Sequence, residues 1–143
     1  MVHRRVIEMI HQLFFITMLA LKRSLVIMRY NISMHEMNLQ SKYYDFIKDG
    51  TKRIELRLFD EKRQKIQLGD TIEFFKSDDD KFQAKVIGLL RYNSFKDLFE
   101  DFDISILADA SITKQELLDV LGEFYTPEKQ AQCGVIGIRL QLI

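Results

Sequence analysis

What this chain lacks narrows its chemistry first. It holds one cysteine, three histidines and no tryptophan in 143 residues. A closed zinc site draws on Cys and His ligands at set spacings, and neither a CxxC nor an HExxH spacing occurs. No metal and no cofactor are therefore expected. Cys133 has no partner for an internal disulfide, in keeping with a reducing cytoplasm. It precedes Gly134 and an apolar run, which reads as a small packed thiol rather than a nucleophile. Charge of one sign is missing too, since 21 basic and 21 acidic residues cancel. Nucleic acid would thus not be held by bulk attraction, and any such role needs a local patch. Long apolar runs are absent as well. The most apolar stretch, Leu13–Leu21, has nine residues, too few to span a bilayer.

What is present is one domain's worth of ordinary globular composition, 47% apolar and 29% charged. The balanced charge hides a polarity. Residues 1–33 carry five basic residues and one acidic, a net of +4, which leaves 16 basic and 20 acidic, a net of −4, for residues 34–143. In the first segment His3-Arg4-Arg5 precedes the apolar stretch and Lys22-Arg23 follows it, with no small-x-small cleavage site of a signal peptide. Ile7, Ile10, Phe14, Met18 and Leu21 keep helical spacing. Residues 1–33 are accordingly expected to be an N-terminal helical extension, either amphipathic with a membrane-surface alternative, or upstream of a start at Met28 or Met34. Stable membrane insertion is not expected. Residues 34–143 read as a complete domain.

Within it, Gly50-Thr51-Lys52-Arg53-Ile54-Glu55-Leu56-Arg57 stands out. Ile54, Leu56 and Leu58 alternate with Arg53, Glu55 and Arg57, a strand with one apolar and one charged face. Gly50 marks the left-handed stop of a preceding helix, Lys42–Asp49, capped by Ser41. The charged face has two readings, a solvated surface with a Glu–Arg pair or a binding site. Six basic residues between Lys52 and Lys65 (Lys52, Arg53, Arg57, Lys62, Arg63, Lys65) against Glu55, Asp60 and Glu61 form the one candidate basic patch. Further strands are expected at His35–Leu39, Thr71–Phe75, Phe82–Tyr92 and Gly134–Ile143, with Asp60–Gln64 a loop and Asp78–Asp80 a hairpin tip. Ser94 opens a helix Phe95–Phe102. Thr113 and Glu116 form a Thr-x-x-Glu capping box for a helix that ends near Tyr125, and Pro127 confirms the stop. Strands interleaved with short helices, without βαβ regularity, argue for α+β.

The ordered set resembles the ASCH family: a Met-x-Leu strand, a short helix, Gly50-x-Lys52-x-x-Glu55-x-Arg57, Gly69-Asp70-x-Ile72-x-Phe74, a long strand, the Ser94-Phe95 helix, and Tyr125 with Gly134-Val135-x-Gly137-Ile138. The resemblance covers about Met34 to Leu142. It implies a PUA-like small mixed β-barrel with short flanking helices, and a cleft that takes RNA, a nucleotide or a modified nucleoside. Lys52, Glu55 and Arg57 would line that cleft, with Arg53 beside them as a further ligand contact. A branch of the superfamily comprises metal-independent amidohydrolases of N4-acetylcytidine. Lys52 and Arg57 keep that branch's spacing, with Lys52 as base or nucleophile and Glu55 assisting. Glu55 stands, however, where the branch has a hydroxyl residue, and of the stretch Asp109–Ser111, where its glutamate would fall, Asp109 alone is acidic. A protein-interaction domain without a small ligand is the third reading. Deleting residues 1–32 is expected to leave a domain that unfolds cooperatively in urea; a non-cooperative transition would assign the extension to the core.

Overall fold

A computed structural model describes the backbone of residues 2–27 and 31–143. The chain falls into two units, Met1–Asn31 and Ile32–Ile143. In the first, helix α1 runs Val2–Ile27. Ile7, Ile10, Phe14 and Met18 of its expected apolar stripe are exposed; the Leu21 side chain and Met28 lie outside the described residues.

The second unit follows the order β1 (Met34–Asn38), α2 (Ser41–Lys48), β2 (Ile54–Leu58), a 3-10 turn (Arg63–Lys65), β3 (Thr71–Ser77), β4 (Asp80–Tyr92), α3 (Phe95–Asp101), α4 (Ile104–Leu107), α5 (Lys114–Phe124), α6 (Pro127–Cys133) and β5 (Val135–Leu142). The strands form one five-stranded sheet in the order β1-β3-β4-β5-β2, curled into a half-barrel. β1 runs parallel to β3 and every other pair is antiparallel, so the sheet is mixed. The first strand thus pairs with β3 and not with the last, and β1 and β2 are the two edges.

Strand alternation sorts the core into two layers. Ile136, Ile138 and Leu140 of β5 join Tyr44, Ile47, Ile72, Phe74 and Val86 inside the curl. Ile54, Leu56 and Val135 face the other way, onto Phe95, Leu98, Phe99, Leu107 and Leu117 of the later helices. Gly137 is required where they meet, because a Cβ there would lie 2.9 Å from Ile54 Cγ2 and 3.1 Å from Leu98 Cδ1.

Several elements end for reasons legible in the sequence. Thr113 and Glu116 close the reciprocal box at the start of α5, and Ser94 accepts from the Asp97 amide to open α3. Gly50 turns out of α2 at φ +84°. Ser41 does not act as the cap; it is the first residue of α2, Gln40 holds the cap position and no side-chain cap bond forms. The polar stretch after Asp60 is not all loop, since Asp60 accepts from the Arg63 amide and starts the 3-10 turn. Two short helices carry no apolar period to reveal them: α4, opened by Asp103, and α6, whose N1 is Pro127. The proline that stops one helix begins the next. Asp80 begins β4 and accepts from Tyr44 Oη and Lys48 Nζ, each at 2.7 Å. Cys133 is half-buried, with Sγ 3.4 Å from the Lys129 carbonyl oxygen.

Asp70 fixes the start of β1. Its Oδ1 accepts from the Ser33 amide at 3.0 Å, and its Oδ2 from the Gln67 amide at 2.9 Å. His35 Nε2 lies 2.8 Å from Oδ2. Burial alone would raise the Asp70 carboxyl, but His35 and the two amides outweigh it and hold the group below its ordinary 3.8. A depressed folded pKa means that this stabilisation is complete above the unfolded value and fades as pH falls through the folded one. The stability difference between wild type and Asp70→Asn, read from urea midpoints, is expected to shrink as pH falls below 3.8.

Candidate functional site

The charged face of β2 does not point at solvent. Glu55 and Arg57 sit opposite Ile138 and Ile136 of β5, so they project from the inner face of the curl while Ile54 and Leu56 project from the outer. Lys52 and Glu55 are each 4% exposed. Such burial of ions requires opposite charges and hydrogen-bond partners close by, and neighbouring groups supply them. Arg57 Nε donates to Glu55 Oε1 at 2.8 Å, and Lys52 Nζ lies 3.6 Å from Glu55 Oε2. Lys52 Nζ also donates to the Ile54 carbonyl at 2.5 Å and the Leu107 carbonyl at 2.7 Å. Arg57 Nη2 donates to the Asn38 carbonyl at 3.0 Å. One carboxylate therefore serves two cations, and those cations tie β2 to α4 and to the end of β1.

Local structure explains how the chain delivers these groups. The Gly50 turn returns the chain so that the Lys52 amide bonds to the Phe46 carbonyl at 2.9 Å. The Arg53 amide then bonds to the Ile106 carbonyl at 2.8 Å, which docks α4 along the β2 edge and brings the Leu107 carbonyl to Lys52. Arg53 itself is exposed, and its side chain lies outside the cleft that the other three line. The basic stretch to Lys65 does not gather into one patch either: Lys52 is buried in the inner face, Arg53 is outside it, and Arg63 is paired with Asp60 at 3.0 Å.

The cleft encloses about 200 Å³. Lys52, Glu55 and Arg57 form one side, Asn38, Leu39, Gln40 and Tyr43 another, and Leu117, Val120, Leu121, Phe124 and Tyr125 of the α5 region the third. The α5 side was legible as a helical apolar face but not as a cleft wall. Tyr43 and Tyr125 were hidden for a different reason: each reads as a core aromatic until the fold sets it beside the charges.

Electrostatics distinguishes the two cations. Burial pulls the Lys52 ammonium below its ordinary value of 10.5; Glu55 opposes this and Arg57 adds to it. Burial also acts to lower Arg57, but Glu55 and the Tyr125 hydroxyl outweigh it, so the guanidinium is raised and stays charged. The Tyr43 hydroxyl is raised by burial, then by Asp109 and by Glu55, and so remains a protonated donor at the rim. Asp109 is half-buried and accepts from the Ser111 amide at 2.8 Å. Its carboxylate does not line the cleft.

Comparison with known proteins agrees with this architecture. The family model described as ASCH domain matches residues 37–143. The crystal structure of hypothetical protein PH0355 is 36% identical at a TM-score of 0.70, covering 77% of this chain and 99% of that one. The solution structure of protein PF0455 from Pyrococcus furiosus is 32% identical at a TM-score of 0.64, covering 77% and 97%. A serine-to-alanine mutant of ZmASCH from Zymomonas mobilis shares the fold at 13% identity and a TM-score of 0.50, covering 78% and 69%. No curated protein matches the chain.

Glu55→Ala would leave Lys52 and Arg57 buried without their anion. It is expected to lower unfolding stability by about 3–5 kcal/mol, read from urea midpoints. Glu55→Gln, which keeps an acceptor oxygen, is expected to lose less.

Proposed function

Because the chain belongs to the ASCH domain family, with a PUA-related fold generally associated with RNA binding, we propose that it is a module that binds RNA or a nucleotide by taking a single unpaired base into the cleft beside β2. The observation that carries this reading is the fixed charge set Lys52–Glu55–Arg57 facing an apolar and aromatic wall. A base needs both halves of such a site, a face to lie against and polar groups for its edge. The wall from Leu117 to Tyr125, with Tyr43 opposite, offers the first. Arg57 offers the second, since a guanidinium matches a base edge with two parallel donors. Lys52 and Glu55 hold that guanidinium in place.

Size and charge narrow the ligand further. Pockets for drug-sized ligands enclose roughly 300–1,000 Å³, so a cleft of about 200 Å³ suits one base and not a stacked run. With Glu55 neutralising one of the two cations, little charge is left for a phosphate. The sugar-phosphate of a longer ligand would lie outside, where Arg53 is exposed.

A hydrolytic reading, deacylation of a nucleoside such as N4-acetylcytidine, draws on one observation: burial moves Lys52 toward the behaviour of a base. Against it, Lys52 already donates to two main-chain carbonyls, and Asp109 lies outside the cleft.

Calorimetric titration with nucleosides, their monophosphates and short single-stranded RNA tests the proposal. A nucleoside and its monophosphate are expected to bind alike, and Arg57→Ala to weaken both at least about tenfold, the loss of a charged hydrogen bond. Arg53→Ala is expected to weaken RNA alone, and most at low salt. Release of acetate from N4-acetylcytidine, abolished by Lys52→Ala, would replace the binding reading with the hydrolytic one.

A further inference from the structure

Helix α1 carries a large apolar surface that no other described residue of its own unit covers. Val6, Met9, Ile10, Leu13, Phe14 and Ile16 are 45–67% exposed. At 100° per residue they fall within an arc of about 160°; Glu8, His11 and Gln12 lie on the other side, which also carries Phe15 and Leu19, with Ile7 and Met18 at its border. One polar residue falls inside the apolar arc, Thr17, and its hydroxyl is satisfied within the helix: Oγ1 lies 2.9 Å from both the Leu13 and the Phe14 carbonyl oxygens. It can enter an apolar phase without leaving a hydrogen bond unmade.

Charge decides what covers such a face. The sequence sets Arg4-Arg5 before it and Lys22-Arg23 after it, with Glu8 the one acidic residue between. A second copy of the helix would bring like charges together in either orientation, parallel or antiparallel. A sheet of anionic headgroups complements both ends at once. Spanning is excluded by length: Val6–Leu21 measures about 24 Å at 1.5 Å per residue, against a hydrocarbon core of about 30 Å. No helix among the described residues is long and apolar enough to cross a membrane.

We propose that α1 is an interfacial anchor, lying in the plane of an anionic lipid surface with the Val6–Ile16 face in the acyl boundary and the basic pairs against the headgroups. The anchor is independent of the cleft and holds whatever the cleft binds.

The absence of tryptophan from the chain supplies a clean probe. Phe14→Trp in the full-length protein gives a single indole in the centre of the face. With vesicles of phosphatidylcholine and phosphatidylglycerol, its emission is expected to shift to the blue and the protein to sediment with the lipid. The affinity is expected to be at least about tenfold higher than for phosphatidylcholine alone, and to fall with salt. Ile10→Asp with Leu13→Asp is expected to abolish sedimentation while leaving the main thermal transition in place. Equal binding to both vesicle types would overturn the proposal. So would an indole already blue-shifted without lipid, or self-association in sedimentation velocity that Ile10→Asp and Leu13→Asp abolish, because another protein surface would then cover the face.

Discussion

A single carboxylate shared between two buried cations is the constraint from which the rest of the domain takes its shape. Glu55 is 4% exposed and has Arg57 on one oxygen and Lys52 near the other. Remove that anion and the inner face of β2 carries two uncompensated charges in low dielectric, where neither is tolerated. Keep it, and the surplus protons on the cations need further acceptors, which the fold supplies from the Leu107, Ile54 and Asn38 carbonyls. These demands set the positions of α4 and of the end of β1. The short helix α4, which has no apolar period of its own, is placed by them and by the Arg53–Ile106 backbone bond.

The strand alternation of β2 was plain in the sequence, as were Gly50 and the Thr113 capping box, because each rests on neighbours along the chain. Which face of β2 turns inward was not. Arg53, Glu55 and Arg57 occupy alternate positions, but the strand begins at Ile54, and Arg53 lies before the curl that encloses the other two. The charges on Lys52, Glu55 and Arg57 read equally as a solvated strand face and as a candidate site. Only partners 19 to 55 residues away, Asn38 and Leu107, make their burial possible, and no local pattern announces such partners. The same holds for α6. Its defining residue, Pro127, signals an end as readily as a beginning, so the resemblance over Met34–Leu142 carried more of the fold than the periodicity did.

The charged groups of the cleft differ in how far solvent reaches them. Arg57 has 15% of its side chain accessible; Lys52 and Glu55, at 3% and 5%, are more deeply buried. Preorganisation of this kind lowers the ordering cost of binding, since the guanidinium is fixed by Glu55 and Asn38 before any ligand arrives. The opposing α5 wall is tied through its capping box at one end and Tyr125 at the other, which places the aromatic rim by helix geometry rather than by a loop.

The bond from Arg57 to the Asn38 carbonyl also has a bearing on colloidal behaviour. β1 and β2 are the edge strands of the sheet, and an edge strand is a template on which a foreign strand can add and fibrils can grow. In this domain α4 occupies main-chain groups at the start of β2, while the guanidinium takes a main-chain acceptor at the end of β1. The groups that build the cleft are thus also gatekeepers against strand addition. A substitution that empties the cleft of Arg57 frees the Asn38 carbonyl at a sheet edge in the same stroke.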